Sequence, residues 1–324
     1  DHGERIHDSN FCVDGLIYPD RTPHTGAWEM KEAYRPVRIR HYEANEFFFK
    51  NTNYFTNADV YSFTWNLLRN GVIVESGDLV VDIAPNSEKR VILPIKTKML
   101  KTEEYHITFI CTRNGEQISK QQCTLQETYK ELKLIPCSKK EIEVIENENS
   151  VEILTETDKV VFDKATGEMT SFVADGKDFV NNSPARNVKG FLPNIKRAYH
   201  DNEKWMKEDY WTKGELSKAD AKATGFSIEK CGNKAVVSVD YEIASESTKL
   251  FASNITYTIF SSGKIKVTTT LKKVNDEIEP DLPRFGLSFE MPKTMDNIRY
   301  FGLGEKENLA DFKAQATLGI YTAK

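Results

Sequence analysis

Residues Tyr61 to Val74 read YSFTWNLLRNGVIV. Apolar Tyr61, Phe63, Trp65 and Leu67 alternate with polar Ser62, Thr64 and Asn66. This period of two puts one face of a strand in a core and the other in water. Asn70-Gly71 then separates the run from Val72-Ile73-Val74, the residue pair that two-residue hairpin turns prefer. Working outward, Val37-Ile39-His41, Phe47 to Phe49, Leu79 to Ile83, Arg90 to Leu93, Tyr105 to Cys111 and Cys123 to Leu125 read as further strands, and Asn114-Gly115 as a second tight turn. Seven or eight short strands within about 100 residues, with no helix between them, predict an immunoglobulin-like β-sandwich. No cysteine pair has the spacing of the antibody-type disulfide.

Residues Cys137 to Asn149 carry a charge-rich joint (SKKEIEVIENEN) that reads as a domain boundary. A second all-β region follows. Val151 to Leu154, Lys159 to Phe162 and Met169 to Val173 are strands, with turns at Thr166-Gly167 and Asp175-Gly176. Longer strands come at Phe226 to Lys230, Ala235 to Ile243, Phe251 to Phe260, Lys264 to Lys272 and Arg284 to Met291. Their number and length predict a large two-sheet sandwich. Residues 181–222 are irregular, and a loop that long in a compact domain is usually functional or interfacial.

Before the first sandwich the chain is chemically denser: Asp8, Cys12, Asp14, Asp20, Arg21, His24 and Trp28 fall within Asp8 to Arg35. A helix is predicted from about Pro23, with Thr22 as its cap and Pro36 as its end. Asp20-Arg21 reads as a charge-assisted pair or a helix cap rather than a substrate contact. A rich stretch followed by a longer plain one has the pattern of the tail of a catalytic domain with accessory domains after it.

The chain has 324 residues, 39% of them hydrophobic and 29% charged, with a formal net charge of -5. Length and composition predict a globular chain of two or three domains. The mild negative charge argues against nucleic-acid binding, and no apolar run reaches the eighteen residues of a membrane span. Five cysteines are spread without CxxC spacing. They read as free thiols of a reducing compartment rather than a zinc site.

Catalytic signals are sparse. Neither G-x-S-x-G nor H-E-x-x-H occurs, and Gly302-Leu303-Gly304-Glu305 lacks the Lys-Ser/Thr of a phosphate loop. Glycoside hydrolysis needs two carboxylates held about 5–10 Å apart, and no pair singles itself out among the acids. His2, His7 and Asp8 read as a solvated terminus rather than a metal site. Trp205, Tyr210 and Trp211 have the flat faces on which sugar rings stack, although the charged residues between them suit a loop stapled onto a sandwich.

The opening GERIHDSNFCVDGLIYPDRTPHTGAWEMKEAYRPVRI (residues 3–39) resembles the end of the catalytic barrel of bacterial β-galactosidases of glycoside hydrolase family 2. Two further segments agree. RAYHDNE, Arg197 to Glu203, is similar to the family's R-A-P-T-D-N-D. LPRFGLSFEMPKTMDNIRYFGLGEKENLADFKAQATLGIY, Leu282 to Tyr321, is similar to its L-P-R-x-G and Y-F-G-x-G-P-x-E-N-Y-x-D-R segments. Tyr199 and His200 replace Pro and Thr, and Glu305, Leu309 and Phe312 replace Pro, Tyr and Arg, while Glu307, Asn308 and Asp311 are kept.

The resemblance implies a mainly β chain: 1–35 the tail of the (β/α)8 barrel, 36–137 the immunoglobulin-like sandwich, and 138–324 a galactose-mutarotase-like β-supersandwich lacking its closing part. It implies that the two catalytic glutamates lie upstream, so no catalytic residue is expected here, and no substrate-binding residue is singled out. The expected function is the non-catalytic accessory region of a β-galactosidase, and the alternative is a carbohydrate-binding or structural module without hydrolase activity. The family's sodium ion beside the sugar implies the backbone carbonyl of Phe11 and, in place of the usual Asn, the carboxylate of Asp14 as partial ligands. No cofactor is expected within this stretch, and sodium and magnesium are expected in the parent enzyme. Expected partners are the rest of the barrel, the galactoside of the parent and further copies of the chain, with no nucleic acid or membrane. The expected compartment is the cytoplasm, with the periplasm left open.

Overall fold

The computed structural model describes residues 15–127, 140–180, 190–198, 215–246, 248–276 and 282–323. The chain forms two compact units, Asp1–Leu132 with Asn297–Lys324, and Lys133–Asp296. Residues 297–324, grouped by their sequence with the second sandwich, thus cluster with the first.

In the first unit, helix α1 (Thr25–Ala33) precedes β1 (Val37–Glu43), β2 (Glu46–Asn51), β3 (Ser62–Arg69), β4 (Val72–Val80), β5 (Glu88–Ile92), β6 (Tyr105–Arg113) and β7 (Glu116–Gln126). They make two antiparallel sheets, ordered β1-β2-β5 and β4-β3-β6-β7, the sandwich that the alternation predicted. Phe47 and Phe49 of one sheet meet Phe63, Trp65, Leu67 and Phe109 of the other in one core. Three edge-on aromatic contacts cross it: Phe47–Phe109 at 5.2 Å, Phe49–Phe109 at 5.4 Å and Phe49–Phe63 at 5.6 Å between centroids. This geometry sets the positive ring edge against the negative face.

Asn70 and Gly71 have φ of 49° and 79°, the two positive angles a type I′ turn requires, and Arg69 pairs with Val72 across it. Of the separate strand expected at Leu79 to Ile83, Leu79 and Val80 are instead the end of β4, because nothing interrupts the chain at Ser76-Gly77, and Val81 to Ile83 lie outside any strand. Gly77 passes over Trp65, where a Cβ would lie 2.7 Å from the indole. Cys111 and Cys123 are buried and free, and burial pushes the Cys111 thiol up to about 11, which leaves it unreactive. Helix α1 starts at Thr25 after His24, which makes no side-chain cap bond. Thr22, the expected cap, donates instead to Asp20 through both its amide (2.9 Å) and its hydroxyl (2.7 Å). The expected Asp20-Arg21 motif is therefore a turn held by Asp20 and Thr22.

The second unit holds β8 (Glu143–Glu146), β9 (Ser150–Leu154), β10 (Lys159–Asp163), β11 (Met169–Ala174) and β12 (Lys177–Asp178), then β13 (Leu192–Asn194), the short helix α2 (Glu215–Lys218), β14 (Asp220–Cys231), β15 (Lys234–Ala244), β16 (Lys249–Phe260), β17 (Ile265–Lys273) and β18 (Gly286–Ser288). A five-stranded sheet β12-β11-β10-β9-β8 and a four-stranded sheet β14-β15-β16-β17 share a core of Val151, Ile153, Val160 and Phe162 with Val237, Val239, Tyr241 and Tyr257.

Two expectations change here. The charged joint contains β8, whose neighbour Ile142 is fully buried, because Ile142 and Val144 alternate with Glu141 and Glu143. The expected strand from Arg284 to Met291 shortens to β18, because its partner is three residues long and Pro283 and Pro292 flank it. The last two strands, β19 (Ile298–Gly304) and β20 (Thr317–Ala323), form a hairpin that belongs to the first unit.

Candidate functional site

The family-like N-terminal segment and the family-like GLGEKENLADF arch are far apart in sequence and come together in the first unit. A bridge pairs Ile17 with Pro23, and Arg21 takes a φ of 70° at the turn tip. The Tyr18 and His24 rings stack with centroids 3.5 Å apart. Through this turn the chain enters α1, whose one buried polar face meets β7. There Glu32, 5% exposed, accepts a hydrogen bond from the amide of Lys120 at 2.8 Å.

One turn earlier on α1, the helix receives the arch between β19 and β20. The two carboxylate oxygens of Glu29 accept the amides of Ala314 (2.9 Å) and Gln315 (3.0 Å). Arg35 donates from Nη2 to the Ala314 carbonyl at 3.2 Å. The Lys306 ammonium lies 4.9 Å from the Trp28 ring centroid. Within the arch, buried Gln315 donates to the Glu307 carbonyl at 2.6 Å, and Asn308 donates to the carbonyls of Leu303 and Lys306. Asn308, kept from the family motif, thus holds the backbone of the arch itself. Next to the arch, the Gln122 side chain of β7 pairs with Leu318 of β20 as a strand would: Nε2 donates to its carbonyl at 2.9 Å, and Oε1 accepts from its amide at 2.8 Å.

In the second unit the other two family-like segments also meet. Arg197, the first residue of RAYHDNE, donates from Nε to the carbonyl of Pro283 in the LPR segment at 3.2 Å, beside the β13–β18 pair. A cavity of ≈ 700 Å³ lies near β13, α2 and β14, with Glu168, Lys196 and Asp220 among its lining. Lys196 pairs with Asp220 at 2.9 Å.

The Glu32 carboxyl is held above the ordinary carboxylate range. Burial raises it, against the amide of Lys120 and the nearby Arg35 charge. A general acid also needs access to its substrate, and Glu32 is sealed between helix and strand. Its role is structural, and its protonation is linked to folding. A carboxyl raised on folding adds stability below its unfolded pKa of about 4, and that stability is lost as pH rises through the folded pKa. At pH 7, Glu32→Gln, which keeps an acceptor for Lys120, is therefore expected to melt at or above the wild-type temperature. Below pH 4 the difference is expected to vanish. Thermal melts across pH 3–8 check this, and a Glu32→Gln protein that is less stable at pH 7 than at pH 4, relative to wild type, would contradict it.

Phe11 and Asp14, the expected cation ligands, lie outside the described residues, as do Trp205, Tyr210 and Trp211 and the His2, His7 and Asp8 group. A carbonyl and a carboxylate are hard oxygen donors suited to sodium, and two are fewer than a full shell. Among the described residues no group of three or more His, Cys, Asp or Glu is placed to hold a metal ion, and no helix is long and apolar enough to cross a membrane. Glu29 and Gln122 carried no sequence signal, since each is an ordinary polar residue whose partner lies far along the chain.

Family models match three successive stretches. The TIM barrel domain of family 2 glycosyl hydrolases matches residues 1–39, domain 4 of β-galactosidase residues 47–125, and the β-galactosidase small chain residues 155–324. A β-galactosidase of Actinobacillus pleuropneumoniae is 30% identical over 337 residues, covering 100% of this chain and 32% of that protein. One of Clostridium acetobutylicum is 27% identical over 344 residues, covering 99% and 35%. One of Priestia megaterium is 25% identical over 337 residues, covering 99% and 31%. The chain spans about a third of the length of these relatives.

Proposed function

Because the chain belongs to the β-galactosidase family of glycoside hydrolase family 2, we propose that it serves as the non-catalytic C-terminal accessory region of a retaining β-galactosidase. The parent cleaves terminal β-galactosides by double displacement, using two glutamates supplied by the rest of its barrel. This chain braces the end of the barrel, completes one wall of the sugar site near Phe11 and Asp14, and offers surfaces for assembly. The parent's sodium and magnesium take their remaining ligands from the barrel. Free Cys111, Cys123 and Cys231 suit a reducing compartment such as the cytoplasm.

The observation that carries this reading is the clasp on α1. A helix matched by the barrel model is fixed at Glu29 by the arch and at Glu32 by the sandwich, so the C-terminal part of the chain positions the end of the barrel. The purified chain is expected not to hydrolyse a chromogenic galactoside when host enzyme is excluded. Adding the barrel polypeptide is expected to give turnover. Turnover by the chain alone would overturn the reading.

A further inference from the structure

The loop between β2 and β3 is built to hold two aromatic rings in water. Asn51 is fully buried, and its side chain ties the loop from inside. Its Nδ2 donates to the carbonyls of Thr56 (2.8 Å) and Ile83 (2.9 Å), and its Oδ1 accepts from the amide of Asn53 (3.0 Å) and from Asn53 Nδ2 (2.8 Å). Asn57 adds a second tie to the amide of Ile83 at 3.1 Å. On this fixed support Tyr54 is 74% exposed and Phe55 97% exposed. The support is also stitched to the end of α1. The amide of Thr52 donates to the Pro36 carbonyl at 2.9 Å, and its hydroxyl lies within hydrogen-bond reach of the Arg35 and Pro36 carbonyls. Tyr34, which caps α1, is 80% exposed.

Single exposed apolar residues need no explanation. A buried asparagine that spends its hydrogen bonds on presenting two adjacent rings, on a loop tied next to the helix end that carries a third, is a different matter. Held rigid, such rings lose little freedom on contact, which is what makes aromatic residues strong anchors at interfaces. We infer that Tyr54 and Phe55, together with Tyr34, form a docking knob for the remainder of the catalytic barrel. The inference rests on the reading of the chain as the accessory region of a family 2 hydrolase, and it names the sandwich surface that the barrel grips. The occupant follows from continuity. Residues 1–39 match the barrel model, and a whole barrel needs about 250 residues, so the bulk of it stands against the uncovered side of α1. That side carries exposed Leu16, Ile17, Tyr18 and Met30 and runs on to Tyr34. A body covering this face reaches the Thr52 stitch, and with it the two rings.

The test co-expresses the 324-residue chain, with p-benzoylphenylalanine at position 55, and a family 2 barrel polypeptide lacking the region matched here. Irradiation is expected to link position 55 to barrel peptides, read by mass spectrometry. The double variant Tyr54→Ser/Phe55→Ser is expected to bind the barrel polypeptide at least ~10-fold more weakly, with an unchanged melting profile. Val80→Ser, at an exposed position on β4, is expected to bind as wild type. Cross-links to a second copy of this chain, no cross-link in an intact complex, or unchanged affinity of the double variant would overturn the docking knob and leave the accessory reading standing. If the wild-type chain and the barrel polypeptide do not associate, both fall.

Discussion

Phe109→Ala is expected to destabilise the first unit by about 3–5 kcal/mol, the usual cost of emptying an aromatic site in a core. Phe109 is buried, and it makes T-shaped contacts with both Phe47 and Phe49 across the sandwich. Its loss leaves a cavity bounded by both sheets and removes two ring contacts at once. Domains of this kind have only about 5–15 kcal/mol in hand, so the variant keeps a small margin. For a unit of this size the change corresponds to a fall of very roughly 6–20 °C in melting temperature. The control is Phe48→Ala on β2, between Phe47 and Phe49. Phe48 points to the other face, where the Arg40 guanidinium covers it at 4.0 Å, and its loss is expected to cost under about 1 kcal/mol. Calorimetry of the two variants decides the matter. A loss at Phe48 as large as the ~3–5 kcal/mol of a core ring would mean that the period of two does not describe β2.

Glu29→Ala is expected to release the arch between β19 and β20 from α1 at a cost of about 2 kcal/mol. Each bond from an amide to a carboxylate contributes about 1.5–3 kcal/mol where water is excluded, and partial exposure of this site reduces the sum. The amides of Ala314 and Gln315 lose their carboxylate acceptors, while the sandwich core is untouched. Hydrogen exchange is therefore expected to speed up at residues 314 and 315 and to stay unchanged at Phe109. Glu29→Gln keeps one acceptor oxygen and is expected to restore about half of the protection. If the chain is the accessory region proposed above, Glu29→Ala is expected to lower turnover of its complex with the barrel polypeptide through loss of positioning. Unchanged exchange at both amides would show that Gln122 and its pairing with Leu318 hold the hairpin without the helix.

Much of the fold was legible in the sequence because its determinants are local. Alternation at Phe63, Trp65 and Leu67 depends only on a strand's pleat, and Asn70-Gly71 and Asn114-Gly115 specify turns through their own backbone angles. The free state of Cys111, Cys123 and Cys231 followed from spacing, and family membership from short linear motifs. Where local signals were weak the reading slipped. Glu-rich β8 looked like a linker because two inward residues are too few to show a period. Arg284 to Met291 looked like a long strand because its own propensity says nothing of a three-residue partner. The cap assigned to Thr22 failed because Asp20, two residues earlier, takes that hydroxyl and amide first.

The candidate site divides in the same way. The sequence by itself determined which residues are candidates: the motif-bearing segments around Pro19 to His24, Arg197 and Gly302 to Asp311, and the cation ligands expected at Phe11 and Asp14. Only the tertiary structure decided what the described ones do. Contacts between Glu29 and Gln315, between Gln122 and Leu318, and between Arg197 and Pro283 span 286, 196 and 86 residues. No periodicity or spacing records a hydrogen bond across such a distance, because it depends on where whole strands finish. The same reason hid the exposure of Tyr54 and Phe55: a ring's identity is written in the chain, but its burial is settled only when everything else has packed.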